Sequence, residues 1–435
     1  MTRNKDSILG AQIRTAAAIW EDIQNSSLPA DRWLGNYFHH NRKKCGSRDR
    51  RFLSETTYAL FRHKLFIREW CRHLLAKDAD ATCEVLLAAK LERLIPSETF
   101  YSLADQFIPR RNLTSDLAEK LENFSLPPGT KTTNPEEEIS LRHSFPLWLV
   151  NRWSKQFGLK ECRDLIAVMQ QRPPLTIRIN PVKMTRERQI ERFKELGWGV
   201  IPTVRSSYGL TFRERVNVFD TEDFRKGFFD IQDEGSQIIC QMVDPQPGEI
   251  LWDVCAGGGG KSLLLAAMMQ NKGRVIATDL RMHKLDSLRM RYRKAGIMNI
   301  FPAELDRISE IKEVQKKGID RILIDAPCSG SGTLRRNPDA KWKLTEGSFA
   351  EHQKNQLAIA EKAIPFLKKG GRFYYVTCSL DPLENEEVMK EIFSRHPGLR
   401  QVIYPKSRDG YFRLFPHKEG TDGFFLGMAE NKGVE

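Results

Sequence analysis

Asp253 to Ser262 reads DVCAGGGGKS, and this stretch decides the fold. The apolar run Ile250 to Val254 leads into Cys255; Gly257, Gly258, Gly259 and Gly260 follow; Lys261 and Ser262 then open a segment rich in Leu, Ala and Met. That order spells strand, tight turn and helix N-terminus. The glycines let the backbone turn sharply and come close to a ligand, and the free N–H groups of a helix start favour polar or anionic atoms. The loop lacks the GxxxxGK[ST] spacing of a P-loop, so a nucleoside cofactor is preferred over ATP. A glycine turn alone is weak evidence, and the rest of the site has to come from downstream.

From Gly227 onward strands alternate with helices, the signature of a parallel α/β sheet. The pattern predicts strands at Ile250 to Val254, Arg274 to Thr278, Asn299 to Ala303, Arg321 to Asp325 and Arg372 to Thr377, with an antiparallel strand at Gly423 to Met428. Asp279 ends the second of these, nineteen residues after Gly260. That is about the 20-residue interval at which an acidic side chain reaches ribose hydroxyls in Rossmann-like sites. The third strand leads to Asp306, and the fourth runs into Asp325, Pro327 and Cys328. Cys378 follows the fifth strand. In an open parallel sheet, ligands bind beyond the carboxyl ends of strands at the topological switch. If strands four and five are neighbours, Cys328 and Cys378 face one crevice with Asp325 beside them.

Upstream, Ile8 to about Phe124 is helical throughout: Leu9, Ile13, Ala16, Trp20 and Ile23 recur at three- and four-residue steps. Helices also read through Arg50 to Leu75, Ala81 to Leu94 and Leu113 to Phe124. Between the first two helices, Arg42, Lys43, Lys44, Arg48, Arg50 and Arg51 form either a solvated loop or a phosphate-contacting patch. Ser125 to Glu137 is rich in Pro, Thr and Gly and marks a linker. A helix with Trp148 and Trp153 comes next, then a strand in RPPLTIRIN, Arg172 to Asn180, and a helix at Arg186 to Leu196. These make a small α+β unit whose aromatics fall at buried-face spacing.

The 435 residues allow two or three domains. Against 69 Lys and Arg stand 56 Asp and Glu, a net charge of +13 that favours a polyanionic partner, nucleic acid first. No apolar run approaches the roughly 18 residues of a membrane span, so no membrane association is expected. The N-terminus carries Asp6, Glu21 and Asp22 and reads as neither signal nor transit peptide. Eight cysteines without CxxC pairing point to neither a disulfide framework nor a metal site, and the cytoplasm is the expected compartment.

DVCAGGGGKS, ATDL, DAPCSGSGTLRRNPDAKW, TCSLDPLENE and DGFF, in this order, resemble the Sun family of RNA (cytosine-5) methyltransferases, and FFDIQDEGSQ at Phe228 to Gln237 resembles the family's segment before the first strand. The likeness spans about Phe145 to Phe425. RDRRFLSETTYALFRHK, Arg48 to Lys64, is similar to the NusB-like RNA-binding domain of the bacterial 16S rRNA methyltransferases in that family, and RRNPDAKW fits the same subgroup. Where the family commonly has Ala-Pro-Gly-Gly-Lys-Thr, this chain has four glycines, Lys261 and Ser262, which keeps the backbone donors.

The resemblance implies a multidomain chain: a NusB-like helical RNA-binding domain over 1–125, a linker over 126–140, a small α+β RRM-like subdomain over 141–235, and a Rossmann-like class I methyltransferase domain over 236–430. It implies S-adenosyl-L-methionine as cofactor and RNA, 16S rRNA first, as partner. Cys378 would be the nucleophile, Cys328 would assist product release, and Asp325 would recognise the base and relay a proton. Cys255, Ala256, Gly257, Gly258, Gly259, Gly260 and Lys261 would hold the methionine part, Asp279 the ribose and Asp306 the adenine side, with Asp325 bordering the cofactor. Three alternatives remain at this point: a tRNA substrate, a DNA cytosine-5 methyltransferase using Pro327-Cys328, and a non-catalytic RNA-binding assembly factor.

Overall fold

The computed structural model describes residues 2–76 and 80–433. Its contacts divide the chain into two units: 1–172 with 334–346, and 173–333 with 347–435.

The first unit is helical: α1 (Thr2–Ile23), α2 (Ala30–His40), α3 (Ser47–Leu75), α4 (Ala81–Leu91), α5 (Ser97–Ala104), α6 (Leu117–Glu122), α7 (Pro135–His143), α8 (Leu147–Phe157) and α9 (Leu159–Met169). The spacing read in the sequence is the buried face of α1, where Ile13, Ala16, Trp20 and Ile23 are all within 1% of full burial. They pack with Phe61, Phe66, Leu86 and Phe100 in one core. The Asp80 carboxylate caps α4 by accepting from the N–H groups of Thr82 and Cys83. The stretch expected to be a linker already contains the start of α7: Asn134 caps it, Pro135 takes the first position, and Glu136, Glu137 and Glu138 line its first turn. In the loop after α2, Arg42, Lys43 and Lys44 are exposed, as is Arg48 in the first turn of α3, whereas Arg50 donates to the Cys45 carbonyl and Arg51 pairs with Glu55.

Residues 334–346 belong to this helical unit although they lie between strands of the other. The wholly buried Lys341 ammonium donates to the Arg62 carbonyl at 3.0 Å, and the Trp342 indole to the Phe61 carbonyl at 2.7 Å. The sequence pattern gave no sign of this.

The second unit starts with β1 (Thr176–Ile179), α10 (Arg186–Glu195), β2 (Val200–Pro202), β3 (Gly209–Phe212), α11 (Glu222–Arg225) and β4 (Phe229–Ile231). The four strands form an antiparallel sheet in the order β2-β3-β1-β4. Phe193 of α10 packs on Ile177, Leu210, Phe212 and Phe229, so these aromatics are core, as their spacing predicts. Next come α12 (Glu234–Val243), β5 (Ile250–Asp253), α13 (Gly260–Met268), β6 (Arg274–Thr278), α14 (Met282–Ala295), β7 (Ile300–Ala303), α15 (Lys312–Lys317) and β8 (Ile319–Asp325). The chain ends with α16 (Glu346–Ala363), β9 (Leu367–Thr377), α17 (Glu386–Arg395), β10 (Leu399–Gln401), β11 (Phe412–Leu414), α18 (Pro416–Glu419) and β12 (Phe424–Asn431).

The large sheet runs β10-β12-β9-β8-β5-β6-β7, with β11 on β12. The five strands from β9 to β7 are parallel, and β12 is antiparallel to β9. Strand order reverses between β5 and β8, so the crevice opens beyond Asp253 and Asp325. Each predicted strand of this sheet is present to within a few residues; β10 and β11, three residues each, were too short to read.

Candidate active site

The glycine turn is fastened from below. Thr278 at the end of β6 accepts from the Trp252 indole at 2.9 Å and donates to the Val254 carbonyl at 2.7 Å, while its own carbonyl accepts from the Ala256 N–H at 2.8 Å. Gly257 and Gly259 take φ of +56° and +80°, a region that only glycine enters without strain. Gly259 also has no room for a side chain, because an added Cβ would lie 2.1 Å from Leu288 Cδ1. From above, the Arg291 guanidinium of α14 bonds the Gly258 carbonyl and the Asp230 carboxylate of β4.

Asp279 faces this turn. Its Oδ2 accepts from the Gly257 N–H at 2.9 Å and its Oδ1 from the Arg281 N–H at 2.8 Å. The Arg281 side chain also donates to Oδ1 at 3.4 Å, so Oδ2 is the oxygen that retains a lone pair for a further donor such as a ribose hydroxyl. A Cβ built on Gly257 meets nothing within 4 Å, which places open space over the turn, beside Asp279 and the start of α13. Cys255, Ala256, Gly257, Gly258 and Gly260 are partly exposed there. An open bay with acceptors at Asp279 and a helix N-terminus fits a nucleoside with a charged amino-acid tail. Burial pushes the Cys255 thiol well up, so it is an inert member of the wall. Asp306 is exposed in the short turn Leu305–Glu310 after β7, at the outer part of the same sheet end.

Lys261, in the first turn of α13, reaches across the switch point and donates to Asp325 Oδ2 at 2.6 Å. Burial opposes its ammonium, but the Asp325 carboxylate overcomes that, and its pKa ends above the usual lysine value. The Cys378 sulfur is among the groups whose charge favours the Lys261 ammonium. Asp325 keeps 32% of its side chain exposed, so the pair is anchored on one side and accessible on the other. Beneath it, Asp253 is wholly buried; desolvation pushes its carboxyl up to about 7, although Ser262 donates to it at 2.5 Å.

Because β8 and β9 are adjacent and parallel, the two cysteine turns that follow them meet. Cys328 and Cys378 are both half-buried, with their sulfurs 3.4 Å apart. The turns are stitched further by the Gly332 N–H to the Cys378 carbonyl at 2.8 Å and the Leu380 N–H to Ser331 Oγ at 2.9 Å. A Cβ on Gly332 would lie 2.5 Å from the Gly423 carbonyl oxygen, so the DGFF segment closes on the same turn. The hydrogen bond to Cys378 and burial both push the Cys328 thiol up, with the Glu384 charge adding to them. Among the described residues no cluster of His, Cys, Asp and Glu could hold a metal ion, and no helix is long and apolar enough to cross a membrane.

Thus the carboxyl ends of β5, β6, β8 and β9 gather the glycine turn, Asp279, Lys261, Asp325, Cys328 and Cys378. Sequence reading missed Arg291, which lies in no turn with a recognisable spacing, and gave no role to Glu384, although it sits within TCSLDPLENE. The 16S rRNA methyltransferase RsmB/F family matches residues 240–429, and the ferredoxin-like domain of the RsmF/B-like methyltransferases matches residues 145–219. A probable ribosomal RNA small subunit methyltransferase B of Bacillus subtilis is 30% identical over 332 residues, 74% of either chain. The chain belongs to the RsmB/F methyltransferase family.

A probable ribosomal RNA small subunit methyltransferase B of Synechocystis is 32% identical, covering 67% of this chain and 68% of that one. Among solved structures, that of PH0851 superposes with a TM-score of 0.74 at 26% identity, over 97% of this chain and 98% of that one. An RsmB/F member is an RNA methyltransferase whose methyl donor is S-adenosylmethionine, and the open bay over Gly257 fits that donor.

Proposed function

We propose that this protein methylates carbon 5 of a cytosine in 16S rRNA through a covalent bond between Cys378 and the base. The observation that carries the reading is the 3.4 Å approach of the Cys328 and Cys378 sulfurs beside the Lys261–Asp325 pair. Cytosine carbon 5 is a poor nucleophile. The Cys378 thiolate forms a bond to carbon 6, and the displaced electron pair moves toward nitrogen 3. Asp325 hydrogen-bonds nitrogen 3 and relays to it a proton drawn from the Lys261 ammonium, which leaves carbon 5 enamine-like. S-adenosylmethionine, when bound, supplies the methyl group from its sulfonium. The glycine turn with Cys255 and Ala256, together with Asp279 and Asp306, would hold that donor.

Release reverses the activation. The proton on nitrogen 3 returns through Asp325 to Lys261, carbon 5 loses its hydrogen as a proton, the bond from carbon 6 to sulfur breaks, and its electron pair returns to Cys378. Cys328 passes a proton to the departing sulfur and takes the one leaving carbon 5, a role that suits a thiol held protonated by its surroundings.

The names of the relatives favour small-subunit rRNA over tRNA, and an rRNA substrate supports a cytoplasmic site of action. The helical domain with its exposed Arg42, Lys43, Lys44 and Arg48 is the NusB-like platform for RNA phosphates, and the four-stranded subdomain is the RRM-like one. A base must leave its stack to enter the crevice, so an unpaired segment is the substrate.

RNA containing 5-azacytidine tests the chemistry. A Cys378-dependent covalent complex that survives Cys328→Ala is expected. A complex that survives Cys378→Ala and is lost in Cys328→Ala would instead make Pro327-Cys328 the nucleophilic turn, as in DNA cytosine-5 methyltransferases. Bisulfite sequencing of 16S rRNA and tRNA from cells with and without the protein identifies the modified base.

A further inference from the structure

Glu384 lies six residues after Cys378, in the short turn Pro382–Glu384 between β9 and α17, and it is wholly buried. Four donors converge on its carboxylate. Oε1 accepts from the Ser329 N–H at 2.8 Å and from the Gln356 amide at 3.2 Å. Oε2 accepts from the Ser329 hydroxyl at 2.5 Å and from the Ser379 hydroxyl. Ser329 follows Cys328 and Ser379 follows Cys378 in the chain, so one carboxylate grips the residue next to each sulfur.

The attachment is itself braced. Tyr375 of β9 donates its hydroxyl to the Glu384 carbonyl at 2.6 Å, and Gln356 of α16 donates at 3.0 Å to the carbonyl of Pro327, the residue before Cys328. Across the two turns the Ser379 hydroxyl lies 3.2 Å from the hydroxyls of both Ser329 and Ser331. All four donors to Glu384 are neutral. A buried carboxylate with no cationic donor is unfavourable for stability alone, and a fully satisfied polar network fixes one geometry.

We propose that Glu384 is the positioning residue of the site: its carboxylate ties the Cys328 turn to the Cys378 turn, so that attack and release occur on one base without the sulfurs moving apart. This rests on reading Cys378 as the attacking sulfur and Cys328 as the releasing one. The Glu384 charge also contributes to keeping Cys328 protonated, the state that release requires. Glu384 touches neither base nor methyl donor and acts through the two turns.

The test compares Glu384→Ala and Glu384→Gln with the wild-type chain on unmodified 16S rRNA. The readouts are kcat, affinity for S-adenosylhomocysteine, and the fraction of protein held as a denaturation-resistant complex with RNA. Glu384→Ala is expected to lower kcat about 100-fold, the scale of a misplaced reacting group. It should leave S-adenosylhomocysteine affinity within about threefold and raise the trapped fraction roughly tenfold, because Cys328 no longer meets the departing sulfur. Glu384→Gln keeps an acceptor for the Ser329 N–H and offers amide hydrogens to both hydroxyls, so its kcat should stay within about fivefold of wild type.

Wild-type kcat in a Glu384→Ala protein that binds S-adenosylhomocysteine overturns the proposal. So does lost activity without trapped complex, or Glu384→Gln failing as badly as Glu384→Ala. If Glu384→Ala does not bind S-adenosylhomocysteine, Ser329→Ala decides: it removes one tie, and a trapped fraction that does not rise above wild type overturns the proposal. A wild-type chain that forms no Cys378-dependent complex would bring down the functional reading itself, and the role of Glu384 with it. A normal wild-type result with the wrong variant result falls on Glu384 alone.

Discussion

Lys261 and Asp325 form an ion pair of 2.6 Å that joins the first turn of the glycine-loop helix to the end of the neighbouring strand β8. The lysine is 10% exposed and the aspartate 32%, so the cation is the buried partner and the carboxylate is the one offered to a ligand. Sequence alone grouped Lys261 with the methionine-binding loop. The geometry makes it the partner of Asp325, the carboxylate proposed to recognise the base.

Lys261→Met separates these two roles. Loss of the cation behind Asp325 should reduce kcat by about 100-fold, the usual scale for a proton-transfer or charge-stabilising group. Isothermal titration with S-adenosylhomocysteine should show affinity changed by less than about threefold if Lys261 serves Asp325 and not the methyl donor. A tenfold or larger loss of affinity with little change in kcat would return it to the cofactor loop.

Gly257 and Gly259 are two residues apart and should respond differently to alanine. At Gly259 the added Cβ meets Leu288 at 2.1 Å on a backbone with φ of +80°, so Gly259→Ala should destabilise the domain by at least about 2 kcal/mol in denaturant unfolding. At Gly257 the Cβ enters open space, and the cost should be only the left-handed backbone, about 1 kcal/mol. That Cβ occupies the bay fitted to the methyl donor, however. Gly257→Ala should therefore lose more affinity for S-adenosylhomocysteine than its stability change explains.

Strand ends carried most of what the sequence revealed. Arg321 to Asp325 and Arg372 to Thr377 read as short buried parallel strands, and it is the adjacency of these two, β8 beside β9, that brings Cys328 to Cys378. The residues that brace the site were not legible because their partners are remote: Arg291 reaches Gly258 and Asp230, 33 and 61 positions away, and Glu384 reaches Ser329 across 55. The packing of residues 334–346 on the helical unit was hidden for the same reason, since Lys341 meets Arg62 at a separation of 279. The start of α7 is a different failure. Asn134, Pro135 and three glutamates are a complete helix-start signal, but the prolines and threonines before them read as linker.

Arg291 offers a third experiment. Its guanidinium links Gly258 to Asp230, and so fixes the glycine turn against the small antiparallel sheet. In Arg291→Ala the turn has to be ordered when the donor binds, and affinity for S-adenosylhomocysteine should fall roughly tenfold. The 5-azacytidine complex formed without cofactor should persist near the wild-type level, because neither cysteine turn touches Arg291. Loss of that complex would mean that the arginine supports the whole crevice.

Asp253 predicts a pH dependence whose sign is fixed by its burial. Desolvation, reinforced by Asp325 and opposed by the Ser262 hydroxyl, lifts its carboxyl to about 7 in the folded chain, and its Oδ1 is buried without a partner. In the unfolded chain the same group titrates near 4. Between those values the folded state holds a proton that the unfolded state has lost, so stability falls as pH rises from about 4 to about 7 and is then flat for this group. A difference of about three pKa units corresponds to on the order of 4 kcal/mol across that window. Asp253→Asn keeps an acceptor for Ser262 and cannot ionise. Its unfolding midpoint should fall less than that of the wild type between pH 5 and pH 7, so that the variant gains on the wild type as pH rises. Parallel curves would mean that Asp253 is charged in the folded protein and that a cation, Lys261 being the nearest candidate, compensates it.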